Sequence, residues 1–213
     1  MMKLPLLTLS AALLTGVGLA VRPQEVSEPP LELVLTIDGR DRDVSIGEDF
    51  EVEFGGRKHT CHLERKPTRQ FDFHGVRLRY PSHFTFEYDD EDDGVEMFTL
   101  EGPETLVMLQ FFADGLSAEA LLELVVDSTV GEYEDFDVER AESEIELGGT
   151  TYESQSLTVS LGELRFQQDF VAFGLPEATA LLIFQGNLDD DGNYVSECQE
   201  TFAMVAETLE FAE

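Results

Sequence analysis

Residues 59–62, His-Thr-Cys-His, place two imidazoles and a thiol within four positions, donors that suit zinc or copper. On a β-strand successive side chains point to opposite faces, so His59 and Cys61 would share one face while His62 lies on the other. One strand cannot gather all three, and neither Cys-x-x-Cys nor a second histidine pair stands elsewhere to complete a ligand set. A structural cysteine beside surface histidines is therefore expected, and no metal residue is assigned.

Two acidic stretches, Asp89-Asp90-Glu91-Asp92-Asp93-Gly94 and Asp189-Asp190-Asp191-Gly192-Asn193, cluster carboxylates as calcium loops do. An EF-hand needs a bidentate Glu at its twelfth position. Counting from Asn187 puts Cys198 there, and counting from Asp89 puts Leu100 there. Solvated acidic turns are expected instead, with weak, low-affinity cation uptake as the alternative. No Gly-x-Ser-x-Gly, Ser-x-x-Lys, Cys–His pairing of recognisable spacing or phosphate-cradling glycine loop is evident. The catalytic and cofactor-binding sets are therefore empty, and the chain is read as non-enzymatic with no cofactor. Cys61 and Cys198 are the two cysteines. Each can face inward, on a strand and on a helix, which leaves open a disulfide between them or two buried thiols.

Between Tyr80 and Glu213 the chain carries thirty-three carboxylates against two basic side chains, Arg140 and Arg165, which accounts for −31 of a net −32. That field repels phosphate backbones and anionic lipid heads, excluding nucleic acid and bare membrane as partners of this region. Nine basic residues gather between Arg40 and Arg79. Interleaved Asp and Glu make that stretch complementary to its acidic neighbour rather than a patch for an anionic polymer. Sixteen phenylalanines and regular apolar alternation separate the chain from charged disordered sequences.

The elements that would position these residues begin after a leader. Lys3, an apolar run to about Leu14 and small residues from Gly16 to Ala20 have the order of a signal peptide over 1–20. The run is shorter than the roughly 20 residues of a membrane span, so an exported chain, periplasmic or extracellular, without membrane insertion is expected. Residues 21–30 read as a linker. Short alternating runs broken by Asp38-Gly39 and Gly55-Gly56 predict a small β-unit over 31–66. Lys66 to Arg69 reads as a connector.

A larger domain is expected over 71–213. Strands are predicted around 76–80, 84–88, 95–101 and 104–112, forming a meander, and around 137–147, 150–161, 163–173 and 177–186, with tight turns at Gly148-Gly149 and Gly162. Ser117 is the expected cap of a helix in which Ala118, Leu121, Leu122, Val125 and Thr129 share a face. Ser196 and Gln199 have capping-box spacing before a final helix that carries Cys198, Phe202, Val205 and Leu209 on one stripe. The expected fold class is α+β, an antiparallel β-sheet with helices packed against it in the order ββββαββββα, preceded by the small all-β N-terminal unit.

That order, the Leu78-Arg79-Tyr80-Pro81-Ser82-His83-Phe84 opening and the Glu146-Leu147-Gly148-Gly149 hairpin resemble the PsbP-like family over residues 71–213. The family includes an extrinsic photosystem subunit, bacterial periplasmic lipoproteins and a nuclear Ran-binding factor. The resemblance implies an antiparallel sheet with helices packed on it and a domain that binds other proteins rather than catalysing a reaction. The chain departs from the photosystem members in having no metal-site motif to carry over, and no family functional residue is transferred. An exported, non-enzymatic binding or accessory protein engaging another exported protein is the leading expectation. An exported weak calcium-binding protein and an unrecognised hydrolase are the alternatives.

Overall fold

The computed structural model describes residues 32–37, 40–45, 53–54, 57–58, 62–91, 94–113, 116–162 and 164–211. Five short strands come first: β1 (Glu32–Ile37), β2 (Arg40–Ser45), β3 (Glu53–Phe54), β4 (Arg57–Lys58) and β5 (His62–Arg65). They pair as a β2-β1-β5 sheet and a separate β3-β4 ladder. Next, β6 (Thr68–Phe73) and β7 (Val76–Pro81) form a hairpin across His74 and Gly75, whose φ values of 50° and 77° are the left-handed pair of a two-residue turn.

β8 (Thr85–Glu91), β9 (Val95–Glu101) and β10 (Thr105–Phe112) then make a meander, followed by helix α1 (Ala118–Glu132). A second meander follows, of β11 (Asp137–Leu147), β12 (Thr150–Leu161), β13 (Leu164–Gly174) and β14 (Thr179–Asn187). Helix α2 (Ser196–Thr208) and the two-residue β15 (Glu210–Phe211) close the chain. Antiparallel pairing of β10 with β14, from Thr105↔Gly186 to Phe112↔Thr179, fuses the meanders into one seven-stranded sheet, β11-β12-β13-β14-β10-β9-β8. β15 adds to β7 and makes a small second layer, β15-β7-β6.

This architecture corrects the expected α+β class and its ββββαββββα order. The described residues build a β-rich fold of fifteen strands with two helices. Thr68-Arg69, read as a connector, begins β6, because Arg69 and Phe71 point inward and are buried along with Val76, Leu78 and Tyr80 of β7. The signal was obscured by a histidine in the left-handed region, a conformation more readily recognised at glycine or asparagine. The 76–80 strand consequently leaves the main sheet and pairs with β6, so the first meander has three strands and not four.

Each sheet face buries its own cluster. On one face Val107, Leu109 and Phe111 of β10 and Ala180, Leu182 and Phe184 of β14 meet Phe71, Leu78 and Tyr80 of the hairpin and Cys198, Val205 and Leu209 at α2. On the other face Leu157, Phe170, Ala172, Leu181 and Ile183 meet Leu121, Leu122, Val125 and Val126 of α1. Ser117 caps α1 as expected, its Oγ accepting from the Ala120 N–H at 3.2 Å. At α2 the cap is Val195 with no side-chain bond, and Ser196 is already helical. Gln199 donates from Nε2 to the Tyr194 carbonyl at 2.6 Å instead of closing a capping box.

The Gly148-Gly149 turn has φ values of 57° and 77°, and the Gly148 N–H bonds the Ala206 carbonyl of α2 at 2.7 Å. A Cβ on Gly148 would collide with the Leu209 backbone carbonyl oxygen, whereas one on Gly149 would meet nothing. Gly148→Ala should therefore lower the unfolding free energy by about 3 kcal/mol. Gly149→Ala, which carries only the left-handed backbone penalty, should lose about 1 kcal/mol. Urea unfolding of the two variants checks the difference, and equal losses would contradict the packing of the turn against α2.

Candidate binding surface

The two faces of the seven-stranded sheet are covered unequally. On the α2 side, α2 packs on β7, β10, β11 and β14. The β6-β7 hairpin lies over the β8-β9-β10 end, where Phe98 meets Phe71 at 5.2 Å, Phe73 at 4.9 Å and Phe111 at 5.6 Å between ring centroids. On the α1 side, α1 packs on β12, β13 and β14. There, Met108 and Phe112 of β10 pack against the edge of the α1 cluster, and no described element packs broadly on β8 or β9.

Strand parity determines what that open half carries. Val107, Leu109 and Phe111 face the hairpin side, so Leu106, Met108, Gln110 and Phe112 of β10 face the other way. The same alternation places Val95, Met97 and Thr99 of β9 with them. Leu106, Met108, Phe112, Val95 and Met97 are all partly exposed. Gln110 is 4% exposed and donates from Nε2 to the Met108 sulfur at 3.2 Å and the Met97 sulfur at 3.7 Å. Thioethers are weak acceptors, and the Gln110 Oε1 has no hydrogen-bond partner among the described residues.

Helix α1 forms one wall of this strip. Asp127 pairs with Arg140 of β11 at 2.7 Å, which turns the flank bearing Glu119, Glu123 and Asp127 towards the β11 edge. At 100° per residue, Ala120, Leu124 and Ser128 occupy the opposite flank, towards β10 and β9. Leu124 is 57% exposed, the most exposed large hydrophobic residue described. On the far side, Glu87 and Asp89 of β8 stand directly opposite Thr99 and Met97 and share their face. The strip thus has a largely apolar floor broken by Thr99 and Gln110, a wall that is uncharged from Ala120 to Ser128 and ends at Glu132, and a carboxylate rim. It can bury apolar side chains and attract positive charge, and it presents no nucleophile.

A separate polar cluster lies under the start of α2. Asp169, 6% exposed, accepts at Oδ1 from Ser156 Oγ (2.6 Å) and Gln167 Nε2 (2.8 Å), and at Oδ2 from the Tyr194 hydroxyl (2.5 Å). Three donors occupy both oxygens, so the carboxylate fastens the segment before α2 to β12 and β13. Burial, then the Asp169 charge, pushes the Tyr194 phenol far above its ordinary value. Cys198 is a buried free thiol that accepts from Thr105 Oγ1 and donates to the Glu104 carbonyl, each at 3.1 Å. Burial raises its pKa, the opposite of nucleophile activation.

The residues singled out in the sequence are not brought together. His59 and Cys61 lie outside the described residues, so the Cys61–Cys198 pairing falls there too, and His62 begins β5. Asp89, Asp90 and Glu91 belong to β8, paired with Met97, Glu96 and Val95, so they alternate between faces and do not line a loop. Asp189 Oδ1 accepts the backbone N–H groups of Asp191 and Asn193 at 3.0 and 2.9 Å, which closes that turn on itself. Among the described residues no three His, Cys, Asp or Glu side chains gather as a metal requires. His74 bonds Glu96 at 2.5 Å and lies against the Phe111 ring, while His83 is exposed beside Phe84. The open strip was missed, although β10 carried its signal: Thr-Leu-Val-Met-Leu-Gln-Phe-Phe is apolar on both faces, the pattern of a strand covered from both sides.

No family model matches the chain, and no curated protein matches it. Among solved structures it is similar to a protein from Bacteroides thetaiotaomicron VPI-5482, at TM-score 0.40 and 14% identity over 65% of this chain and 46% of the other. The chain therefore spans under half the length of that protein. It is also similar to LpqN of Mycobacterium tuberculosis, described as involved in cell envelope biogenesis, at TM-score 0.41 and 13% identity over 65% of this chain and 83% of the other. Likenesses this distant carry no functional argument. No helix among the described residues is long and apolar enough to cross a membrane.

Tyr194 and Cys198 hold their protons in the fold more tightly than in the unfolded chain. Stability is then complete below the unfolded values, roughly 8.5 for Cys and 10 for Tyr, and declines as pH rises past them. The slope approaches about 1.4 kcal/mol per pH unit for each group. Unfolding free energies between pH 7 and 11 should fall from about pH 9, and Tyr194→Phe should reduce the part beginning near pH 10, which Tyr88 and Tyr133 share because burial raises their phenols too. A Tyr194→Phe curve parallel to that of the original chain up to pH 11 would contradict the buried phenol.

Proposed function

We propose that this is an exported, non-enzymatic binding protein that engages another protein through the open half of the sheet beside α1. The observation that carries the reading is the unequal cover. An apolar floor of Leu106, Met108, Phe112, Val95 and Met97 is left partly exposed next to Leu124 in a strongly acidic domain. Exposed apolar surface rimmed by polar residues is a physical mark of an interaction site. The Lys3-to-Ala20 leader supports export, and the resemblance to PsbP-like domains supports binding over catalysis.

A photoreactive side chain in place of Leu124 should trap one discrete protein of the exterior fraction, identified by mass spectrometry. The same group in place of Glu207, on the exposed side of α2, should not. Equal trapping at both positions, or none at 124, contradicts the proposal.

A further inference from the structure

Resting on the reading that this face binds a protein, we infer that its occupant is a cationic amphipathic helix of a different protein, lying alongside α1 over β8, β9 and β10. Dimensions point to a helix. Strands spaced about 4.8 Å apart make the three-stranded strip roughly 10–14 Å wide, the diameter of one helix with its side chains. The other half of the same face shows the fit, since α1 covers the three strands β12, β13 and β14. An extended segment is a poorer match, because a sheet face presents side chains and not the free backbone groups that strand addition uses.

Chemistry selects the charge and the pattern. Met97 and Met108 give the floor flexible, polarisable side chains that adapt to varied apolar partners. Leu124 and Phe112 call for apolar residues at i, i+4 and i+7 of the occupant. Glu87 and Asp89 on the outer rim call for Lys or Arg along its outer flank; of this domain's own basic side chains, Arg77 is paired with Asp72, Arg140 is paired with Asp127 across α1, Arg79 lies on β7 and Arg165 on β13. A second copy is the wrong occupant, because it would bring a second acidic region, residues 80–213 at net −31, against the first. Eight residues of β10 span about 27 Å, the length of about 18 helical residues.

The test uses the mature full chain and a designed labelled helix of about 18 residues, with Leu at i, i+4 and i+7 and Lys along one flank. A scrambled peptide of identical composition serves as its partner. The designed helix should bind saturably at one per chain and about tenfold or more tighter than the scramble. Leu124→Glu, at an exposed position that the fold does not need, should weaken it by about tenfold, as expected for losing one apolar contact. Glu87→Gln with Asp89→Asn should weaken it several-fold and flatten its salt dependence. Equal binding of the scramble, or unchanged affinity in Leu124→Glu, overturns the inference by reducing the attraction to bulk charge. Trapping at position 124 that the designed helix, added in excess before irradiation, fails to suppress overturns this inference alone. Absence of any trapped protein contradicts the binding reading beneath it.

Discussion

The structure depends on covering a sheet wider than any one helix. Seven strands spaced about 4.8 Å apart extend roughly 29 Å, and a helix covers about 10 Å of that. The width follows from the β10-β14 pairing, which joins two meanders that would otherwise each need a separate core. Once joined, each face requires two covering units. The α2 face receives them, α2 over one half and the β6-β7 hairpin over the other, with Phe98 as the ring around which the hairpin aromatics pack. The α1 face receives one. Thr99 and Gln110 show how the chain manages the remainder: both are buried polar side chains on the open half, which keeps a broad apolar face from being continuous.

Charge makes that open face tolerable. Both edges of the sheet are acidic, with Glu87, Asp89 and Asp90 along β8 and Asp137, Glu139, Glu142, Glu144 and Glu146 along β11. Glu144 stands directly opposite Glu153 on β12, a like-charge pair that costs stability. Charged edges resist strand addition by neighbouring molecules, and net charge of one sign keeps copies apart. The same carboxylates that suppress self-association leave the strip selective for a basic partner.

Much of the main sheet was legible in the sequence. The β11–β14 strands lie within a few residues of their alternating runs, Gly148-Gly149 turns where two adjacent glycines permit it, and α1 buries Leu121, Leu122, Val125 and Thr129 on one face. The β6-β7 hairpin was not legible, because its turn uses His74 in a left-handed conformation and its first strand begins in a basic stretch resembling a connector. Losing that hairpin from view cost the fold class, since a sandwiching second layer looked like one more strand of the main sheet. The α2 cap was misplaced by one residue, as the backbone at Val195 enters the helix before Ser196 can cap it. The binding strip could have been found by asking what covers the second face of β10. Its apolar residues on both sides require two layers, and the described residues supply only one helix for that side.

The binding strip requires the α1 face to be open over β9 and β10. Methyl-labelled methionine spectra recorded with a soluble paramagnetic probe measure this directly on the mature chain. Met97 and Met108 should broaden strongly as the probe is added, and adding the designed cationic helix should restore both signals. Methyl signals for Met97 and Met108 that are untouched by the probe in the free protein would mean that the strip is already covered, and would contradict the account.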